Sequence, residues 1–345
     1  MKNAAVLGAS GYTGAEAVRL ILGHPKLKLT ALTAYSRAGE VYSDVFRNFA
    51  GQDLPALVTA DEVNWDEIDV VFACLPHGAS QETIAKIYNR VETVIDLSAD
   101  FRLSDPELYA DTYGRPHDFT ELLSQRVYGL SEFARDLLKG AKLVACPGCY
   151  PTCTMLALLP GLAEGLIDPE RLIVDAKSGV TGAGRKASLS FAYSETTDGA
   201  QAYAIGAHRH APEMDQAMKD FAGVSAKVRF TPHLLPMNRG MIATCHVELS
   251  DGVSVDTLRA HYEDTYKSEP FVHVLAAGQV PQTRHVRGSN HCQIGVFADR
   301  TPGSAVIVSV IDNLTKGSSG QAIQNYNLTQ GWDETLGLTG VGVFP

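Results

Sequence analysis

The segment GASGYTGAE places Gly8, Gly11 and Gly14 between a short apolar run, AAVLG (4–8), and an amphipathic stretch, GAEAVRLILGH (14–24). A strand that turns through closely spaced glycines into a helix leaves few folds open. The glycines allow a tight turn and close backbone approach to a pyrophosphate, and the helix start offers N–H groups to an anion. The spacing here is G-x-x-G-x-x-G and not the usual G-x-G-x-x-G, but the physical demands are the same. On this reading Gly8, Ser10, Gly11, Tyr12, Thr13 and Gly14 form a dinucleotide-binding loop. The alternative is a glycine-rich turn with only a structural task.

The following segments keep a β-α-β rhythm. LKLTALT (27–33), DVVFACLP (69–76), TVIDLS (93–98) and KLVACPG (142–148) read as strands, and SQETIAKIYNR (80–90) reads as a helix. Such alternation predicts a parallel sheet with helices on its faces. From about Ala157 the chain becomes β-rich, with RLIVDAKSGV, KVRFTPHLLP, GMIATCHVEL, FVHVLAA, HCQIGVFA and AVIVSVIDNL. One clear helix, VDTLRAHYEDTYKS, interrupts them, and GSSGQAIQNYNLTQG (317–331) reads as a closing helix. The expected fold class is α/β, a Rossmann-type domain followed by a mixed α+β domain with a larger, antiparallel sheet. Two domains also suit 345 residues, since single cores stop growing at roughly 250–300 residues.

Charge narrows the partners. The chain carries 29 basic and 39 acidic residues, a net charge of −10, with no basic block. That argues against nucleic acid or an anionic membrane surface. An anionic substrate would need a few placed Arg or Lys. No apolar stretch approaches the ~18 residues of a membrane span, and glycine interrupts the N-terminal apolar run too early for a signal peptide. The expectation is a soluble cytoplasmic protein. Six cysteines in a reducing compartment are not expected to form disulfides.

At the end of the second strand, LTAYSRAGE offers Ser36 and Arg37, with no acid until Glu40. NAD sites place an acid there, about 20 residues past the loop, for the ribose 2′-hydroxyl. A hydroxyl and a guanidinium suit a 2′-phosphate, so NADP(H) is the expected cofactor. Arg37 could also be an ordinary loop arginine. Pro76 and His77 of LPHG end another parallel strand, where a dinucleotide would pass.

ACPGCYPTC (145–153) holds three cysteines. A zinc knuckle lacks further ligands nearby, and a redox C-x-x-C lacks thioredoxin-like flanks. The nucleophile reading fits better. Cys149 follows a strand and a Pro-Gly turn where a helix begins, and a helix start favours a thiolate. Cys146 and Cys153 read as small core residues. His208 and His210 of IGAHRHAPEM could supply an imidazole for proton transfer, or be structural. No metal site is expected. Arg102 of DLSADFRL, and Ser178 and Gly179 in KSGVTGAGRK (177–186), are candidates for holding a substrate anion.

These motifs together resemble the N-acetyl-γ-glutamyl-phosphate reductase family, in its shorter single-function form, within the semialdehyde dehydrogenase superfamily. VACPGCYPTCTMLALLP is similar to that family's active-site signature. GASGYTGAE, LPHG, DLSADFRL, YGLSE, HRHAPE, RFTPHLLPMNRGM, RHVRGSN and DNLTKGSSGQAIQNYNL follow in family order along nearly the whole chain. The resemblance implies Cys149 as nucleophile, His208 as acid/base, and an NADP site made by the glycine loop with Ser36 and Arg37. It implies that Asn313 and the region from Lys316 to Gln321 return to the cofactor near the nicotinamide. His210 becomes a substrate or orienting residue. The implied domains are 1–148 plus about 312–345 for NADP, and 149–311 for catalysis and oligomerisation as a homodimer or homotetramer.

The implied reaction is NADPH-dependent reduction of a small-molecule acyl phosphate, N-acetyl-γ-glutamyl phosphate, through a Cys149 thioester in arginine biosynthesis. The alternatives are the same chemistry on aspartyl phosphate or a carrier-bound aminoadipyl phosphate, or a non-catalytic dinucleotide-binding regulator. Two positions depart from the family pattern. Cys153 stands where Gly or Ala is usual, and Ser131 where Pro is commoner.

Overall fold

A computed structural model describes residues Met1–Phe344. The chain forms two compact units.

The first unit comprises Met1–Pro147 and Ser318–Thr339. Its seven strands are β1 (Lys2–Leu7), β2 (Leu27–Thr33), β3 (Leu57–Val58), β4 (Val70–Ala73), β5 (Thr93–Asp96), β6 (Val127–Tyr128) and β7 (Leu143–Ala145). They lie in the order β3-β2-β1-β4-β5-β7-β6, with every pair parallel. Ala4–Leu7 and Val70–Ala73 are buried on both faces, which explains their continuous apolar runs. The direction of winding reverses between β1 and β4. Ligands of such sheets bind at the carboxyl ends of the strands at this switch point. The glycine loop leaves β1 there. Gly8 has φ +72°, and a Cβ on it would lie 2.4 Å from the Cys74 carbonyl oxygen.

Helix Gly320–Thr329 closes this unit, with all ten residues buried despite the polar sequence GQAIQNYNLT. Each central amide nitrogen finds an acceptor. Asn325 Nδ2 donates to Gly129 O at 2.7 Å, and Gln321 Nε2 donates to Gly129 O at 3.1 Å. Ser131 Oγ donates to Asn325 Oδ1 at 2.6 Å and accepts from Gln321 Nε2 at 2.9 Å. Ser131 therefore bridges two buried amides, which a proline could not.

The second unit comprises Gly148–Gly317 and the chain from Gly340 on. Its strands are β8 (Ile173–Gly179), β9 (Gln201–Ala202), β10 (Arg229–Leu235), β11 (Met241–Glu248), β12 (Val272–Val274), β13 (Cys292–Ala298) and β14 (Ser304–Ile311). They lie in the order β12-β13-β14-β11-β8-β10-β9. The sheet is mixed and not wholly antiparallel. β8–β10 and β12–β13 run parallel, because long excursions separate each pair in sequence.

Helix Cys149–Ala163 packs on β11, β14 and helix His210–Ala222. Residues 150–162 are all buried, as suits a helix apolar on every side. Pro160 lies inside it and cannot donate to Leu156 O. Tyr266 Oη supplies the missing donor at 2.6 Å. Tyr262, on helix Val255–Thr265, donates to Ala157 O. Cys153 Sγ packs on Ser309, donating to its carbonyl at 3.3 Å, and Cys245 and Cys292 are likewise fully buried.

The expected boundary near residue 312 falls later, at Gly317/Ser318, and the last residues rejoin the second unit. Asp312 explains the first shift. Its carboxylate accepts from Gly288 N at 2.7 Å, Leu314 N at 2.8 Å and Thr315 N at 3.0 Å. Val343 N, donating to Arg287 O at 2.8 Å, explains the second.

Tyr266→Phe should destabilise the protein by about 1–3 kcal/mol, the cost of a buried carbonyl losing its donor. Urea melts of the two proteins measure this. Tyr266→Phe should leave the Cys149 end of the helix reactive towards iodoacetamide.

Candidate active site

The first unit builds a dinucleotide cradle. Gly11 is the N-cap of helix Tyr12–Leu22, with no side-chain cap and no acid in the first turn. The N–H groups of that turn are thus left to an external anion. A Cβ on Gly14 would lie 2.5 Å from Gly8 O, so the loop cannot fold this way without glycine there. Ser10, Tyr12 and Thr13 occupy the intervening positions, partly exposed. After β2, Tyr35 is 98% exposed and Ser36 is exposed beside it. Arg37 NH1 meets Glu40 Oε2 at 3.0 Å, with both side chains about two-fifths exposed. Surface pairs of this kind are worth little, so a doubly charged phosphate can displace Glu40. Pro76 and His77 are exposed in the turn after β4, and the His77 ring lies 5.9 Å from that of Tyr113. These residues fit NADP(H).

Four residues singled out in the sequence make structural contacts here. Asn313 belongs to the second unit and is 2% exposed. Its Oδ1 accepts from Gly240 N at 2.9 Å and its Nδ2 donates to Thr181 Oγ1 at 3.0 Å. The amide thereby ties two loops together. Arg102 is 9% exposed in the first unit. Its Nε donates to Cys146 O at 2.8 Å and an NH2 hydrogen goes to Leu97 O at 2.9 Å. Two of its nitrogens therefore brace the ends of β5 and β7. Ser178 is 2% exposed and donates to Gly179 O at 3.0 Å. Gly179 is required by close packing, since a Cβ there would lie 2.7 Å from Asn238 O. Both shape the loop that carries the exposed Arg185 and Lys186.

The second unit builds the candidate nucleophile site. Cys149 is the first residue of helix Cys149–Ala163 and is partly exposed. Gly148 is the N-cap, again without a side-chain cap or first-turn acid. The dipole at this end favours the thiolate. Gly148 N donates to Glu213 Oε1 at 2.7 Å, which joins the turn before Cys149 to the helix opened by His210. Residues Thr315–Ser319 form a π-helical turn, and a Cβ on Gly317 would lie only 2.8 Å from Cys149 Cβ.

Tyr150 connects the nucleophile to the histidines. It is 2% exposed, and its ring lies edge-on to His208 at 5.5 Å, His210 at 6.0 Å and Phe230 at 5.2 Å. Tyr203 donates to Tyr150 Oη at 3.1 Å and also packs on His208, with ring centroids 5.5 Å apart. His208 Nδ1 accepts from His210 N at 3.1 Å. In the neutral ring the hydrogen then sits on Nε2. Burial, helped by the adjacent Arg209, pushes His208 down to about 4. At neutral pH the ring is an uncharged donor through Nε2.

The other cysteines are different. Burial pushes Cys146 and Cys245 up to about 12, and Cys74 and Cys153 upward as well. Cys146 lies in the first unit, with Asn325 Nδ2 at 3.6 Å from its sulfur, whereas Cys149 opens the second. Sequence reasoning missed Tyr150, Tyr203 and Glu213 as site components, whereas Gly317 lies in the Lys316–Gln321 region that the resemblance placed near the nicotinamide. Tyr150 and Glu213 stand inside quoted motifs, so a signal existed. Nothing local marks Tyr203.

Comparison with known proteins agrees with this architecture. Residues 3–141 match the semialdehyde dehydrogenase NAD binding domain, and residues 149–313 match the semialdehyde dehydrogenase dimerisation domain. N-acetyl-gamma-glutamyl-phosphate reductase of Rhodospirillum rubrum is 49% identical over 347 residues, covering 99% of each chain. That of Afipia carboxidovorans is 50% identical, covering 98% of this chain and 97% of the relative. A probable chloroplastic N-acetyl-gamma-glutamyl-phosphate reductase of Arabidopsis thaliana is 48% identical, covering 99% of this chain and 84% of its own. Among solved structures, aspartate semialdehyde dehydrogenase II of Vibrio cholerae shares the fold with a TM-score of 0.73 at 18% identity, covering 95% of this chain and 98% of that one. The Candida albicans enzyme solved with NADP has a TM-score of 0.69 at 17% identity, covering 95% and 98%.

Gly317→Ala should cut turnover by about 100-fold, the cost of displacing a reacting group by about 1 Å, while circular dichroism stays unchanged. The His208 shift also has a sign. An unfolded chain binds its proton near 6.5 and the folded one near about 4. Stability should therefore fall as pH drops from 6.5 towards 4. His208→Asn should flatten that part of the profile in urea melts.

Proposed function

Because the chain belongs to the N-acetyl-γ-glutamyl-phosphate reductase family of semialdehyde dehydrogenases, we propose that it reduces N-acetyl-γ-glutamyl phosphate to N-acetylglutamate 5-semialdehyde and phosphate. The reaction is a step of arginine biosynthesis. The observation that carries the assignment of roles is the placement of Cys149 at an uncapped helix start, joined through Tyr150 to His208.

The Cys149 thiolate attacks the acyl carbon, and phosphate leaves with its bridging oxygen. The product is a thioester on Sγ. NADPH, held by Gly8, Ser10, Gly11, Tyr12, Thr13 and Gly14 with Ser36 and Arg37 at the 2′-phosphate and Pro76 and His77 along its path, supplies hydride when bound. The carbonyl oxygen then gains charge, and the Nε2–H of neutral His208 donates to it. The main-chain N–H groups of the first helical turn can share that charge. Collapse of the thiohemiacetal returns the electron pair to Sγ and releases the aldehyde. The low affinity of His208 for a proton keeps the ring from becoming a permanent cation, so it acts by hydrogen bonding. His210 orients it through the main-chain bond to Nδ1.

Residues 149–313 match a dimerisation domain, which supports an oligomer. A homodimer or homotetramer is the proposed assembly, and the cytoplasm the proposed location. No helix among the described residues is long and apolar enough to cross a membrane.

The direct test is phosphate-dependent reduction of NADP+ by N-acetylglutamate 5-semialdehyde, compared with aspartate semialdehyde. Activity should require the acetylated compound, and its absence there would overturn the reading. Cys149→Ser should abolish turnover, whereas Cys146→Ser and Cys153→Ala keep most of it. Equal loss in all three would remove Cys149 from its role.

A further inference from the structure

Gly78, in the turn that leaves β4, is gripped on both sides of its backbone. Its N–H donates to Asp100 Oδ1 at 2.6 Å. Its carbonyl accepts from Arg115 NH1 at 2.7 Å. The residue has φ +82°, and a Cβ added to it would lie 2.2 Å from Arg115 NH1. The guanidinium thus fills the space that any other residue's side chain would need. A turn with only its own hydrogen bonds would sample several conformations; this one is pinned at both polar groups of its central glycine.

The grip has a rigid base. Asp100 is fully buried and accepts from four donors. Besides Gly78 N these are Ser80 N at 3.1 Å, Ser80 Oγ at 2.9 Å and Tyr109 Oη at 2.8 Å. Ser80 begins helix Ser80–Ile87, whose N-cap Ala79 brings no side-chain acceptor. Asp100 supplies that acceptor from another element, with a charge that suits a helix start. Tyr109 lies on helix Pro106–Tyr113, which Asp105 caps and which Gly114 ends in the left-handed conformation. Arg115 follows at once. The excursion between β5 and β6 therefore delivers both members of the grip, a buried carboxylate and an exposed guanidinium.

We propose that Arg115 and Asp100 are positioning residues for the cofactor, holding the Pro76–Gly78 backbone as a fixed wall beside the glycine loop. The two loops already touch. The Cys74 carbonyl that precedes the turn is the atom that Gly8 must make room for. A dinucleotide lying at the end of β1 meets a turn whose shape is set before binding, so less ordering is needed when it binds. The inference rests on the dinucleotide reading of the first unit.

Arg115 is exposed, so its truncation does not open the core. The experiment is fluorescence titration of the full-length protein with NADPH, with kcat and KM for each substrate. Arg115→Ala should raise Kd and KM for NADPH by about tenfold, the worth of one charge-assisted hydrogen bond. The kcat at saturating NADPH, the KM for the acyl phosphate and the rate of Cys149 alkylation should change far less. Arg115→Lys, which can still reach one carbonyl, should recover part of the affinity. Tyr109→Phe, which removes one of the four donors to Asp100, should weaken NADPH in the same direction. A wild-type Kd in Arg115→Ala would overturn the proposal. So would a parallel fall of kcat, alkylation rate and thermal midpoint, which would mark a general structural role. If the unmodified protein failed to bind NADPH, the dinucleotide reading would fall, and the grip's role with it.

Discussion

A helix start can serve an outside anion only if none of the protein's own side chains takes its N–H groups first. Both candidate sites in this chain meet that condition in the first helical turn, although the N–H of the N-cap Gly148 itself goes to Glu213 Oε1. Helix Tyr12–Leu22 begins at Gly11 and helix Cys149–Ala163 at Gly148, and neither has a side-chain cap or an acid in its first turn. Ser, Thr, Asp or Asn would stabilise each helix by about 1 kcal/mol at that position. Glycine gives up that stabilisation and leaves the first-turn N–H groups to other negative charge.

Stability lost at the helix starts is recovered elsewhere by buried polar groups that act as hubs. Asp100 gathers four donors in the first unit, and Asp312 gathers three main-chain N–H groups together with Arg239, 3.2 Å away, in the second. Asn325, Gln321 and Ser131 do the same for the closing helix. Each hub fixes a loop at the end of a sheet, where function needs irregular backbone and where strand pairing can no longer hold it. Tyr262 and Tyr266 extend the pattern to the nucleophile helix by replacing donors disturbed at Pro160.

Much of this was legible in the order of residues. LKLTALT was read as a strand over 27–33, and β2 has the same bounds, because Leu27, Leu29 and Ala31 alternate with Lys28 and β-branched Thr30. The helix start at Cys149 was legible because a strand, a Pro-Gly turn and Pro151 in the first helical turn are all local signals. Asn313 was not. Its motif marks it as special, but only the fold shows that its amide joins Thr181 to Gly240. The parallel pairings of β8 with β10 and β12 with β13 were equally hidden, since alternation along a strand does not name its neighbour.

The sequence by itself determined the first sheet, the glycine loop, the helix that begins at Cys149 and the chemistry these imply. Those features follow from short-range patterns: apolar periodicity, glycine spacing and helix-start residues, which act over a few neighbours in the chain. Only the tertiary structure decided which thiols burial pushes up, that burial pushes His208 down, that Gly317 packs against Cys149 and that Asp100 and Arg115 grip Gly78. These depend on burial and on contacts between residues as far apart as 149 and 317. A thiol's proton affinity or a glycine's necessity is set by what packs around it, and the chain must be folded before that neighbour exists.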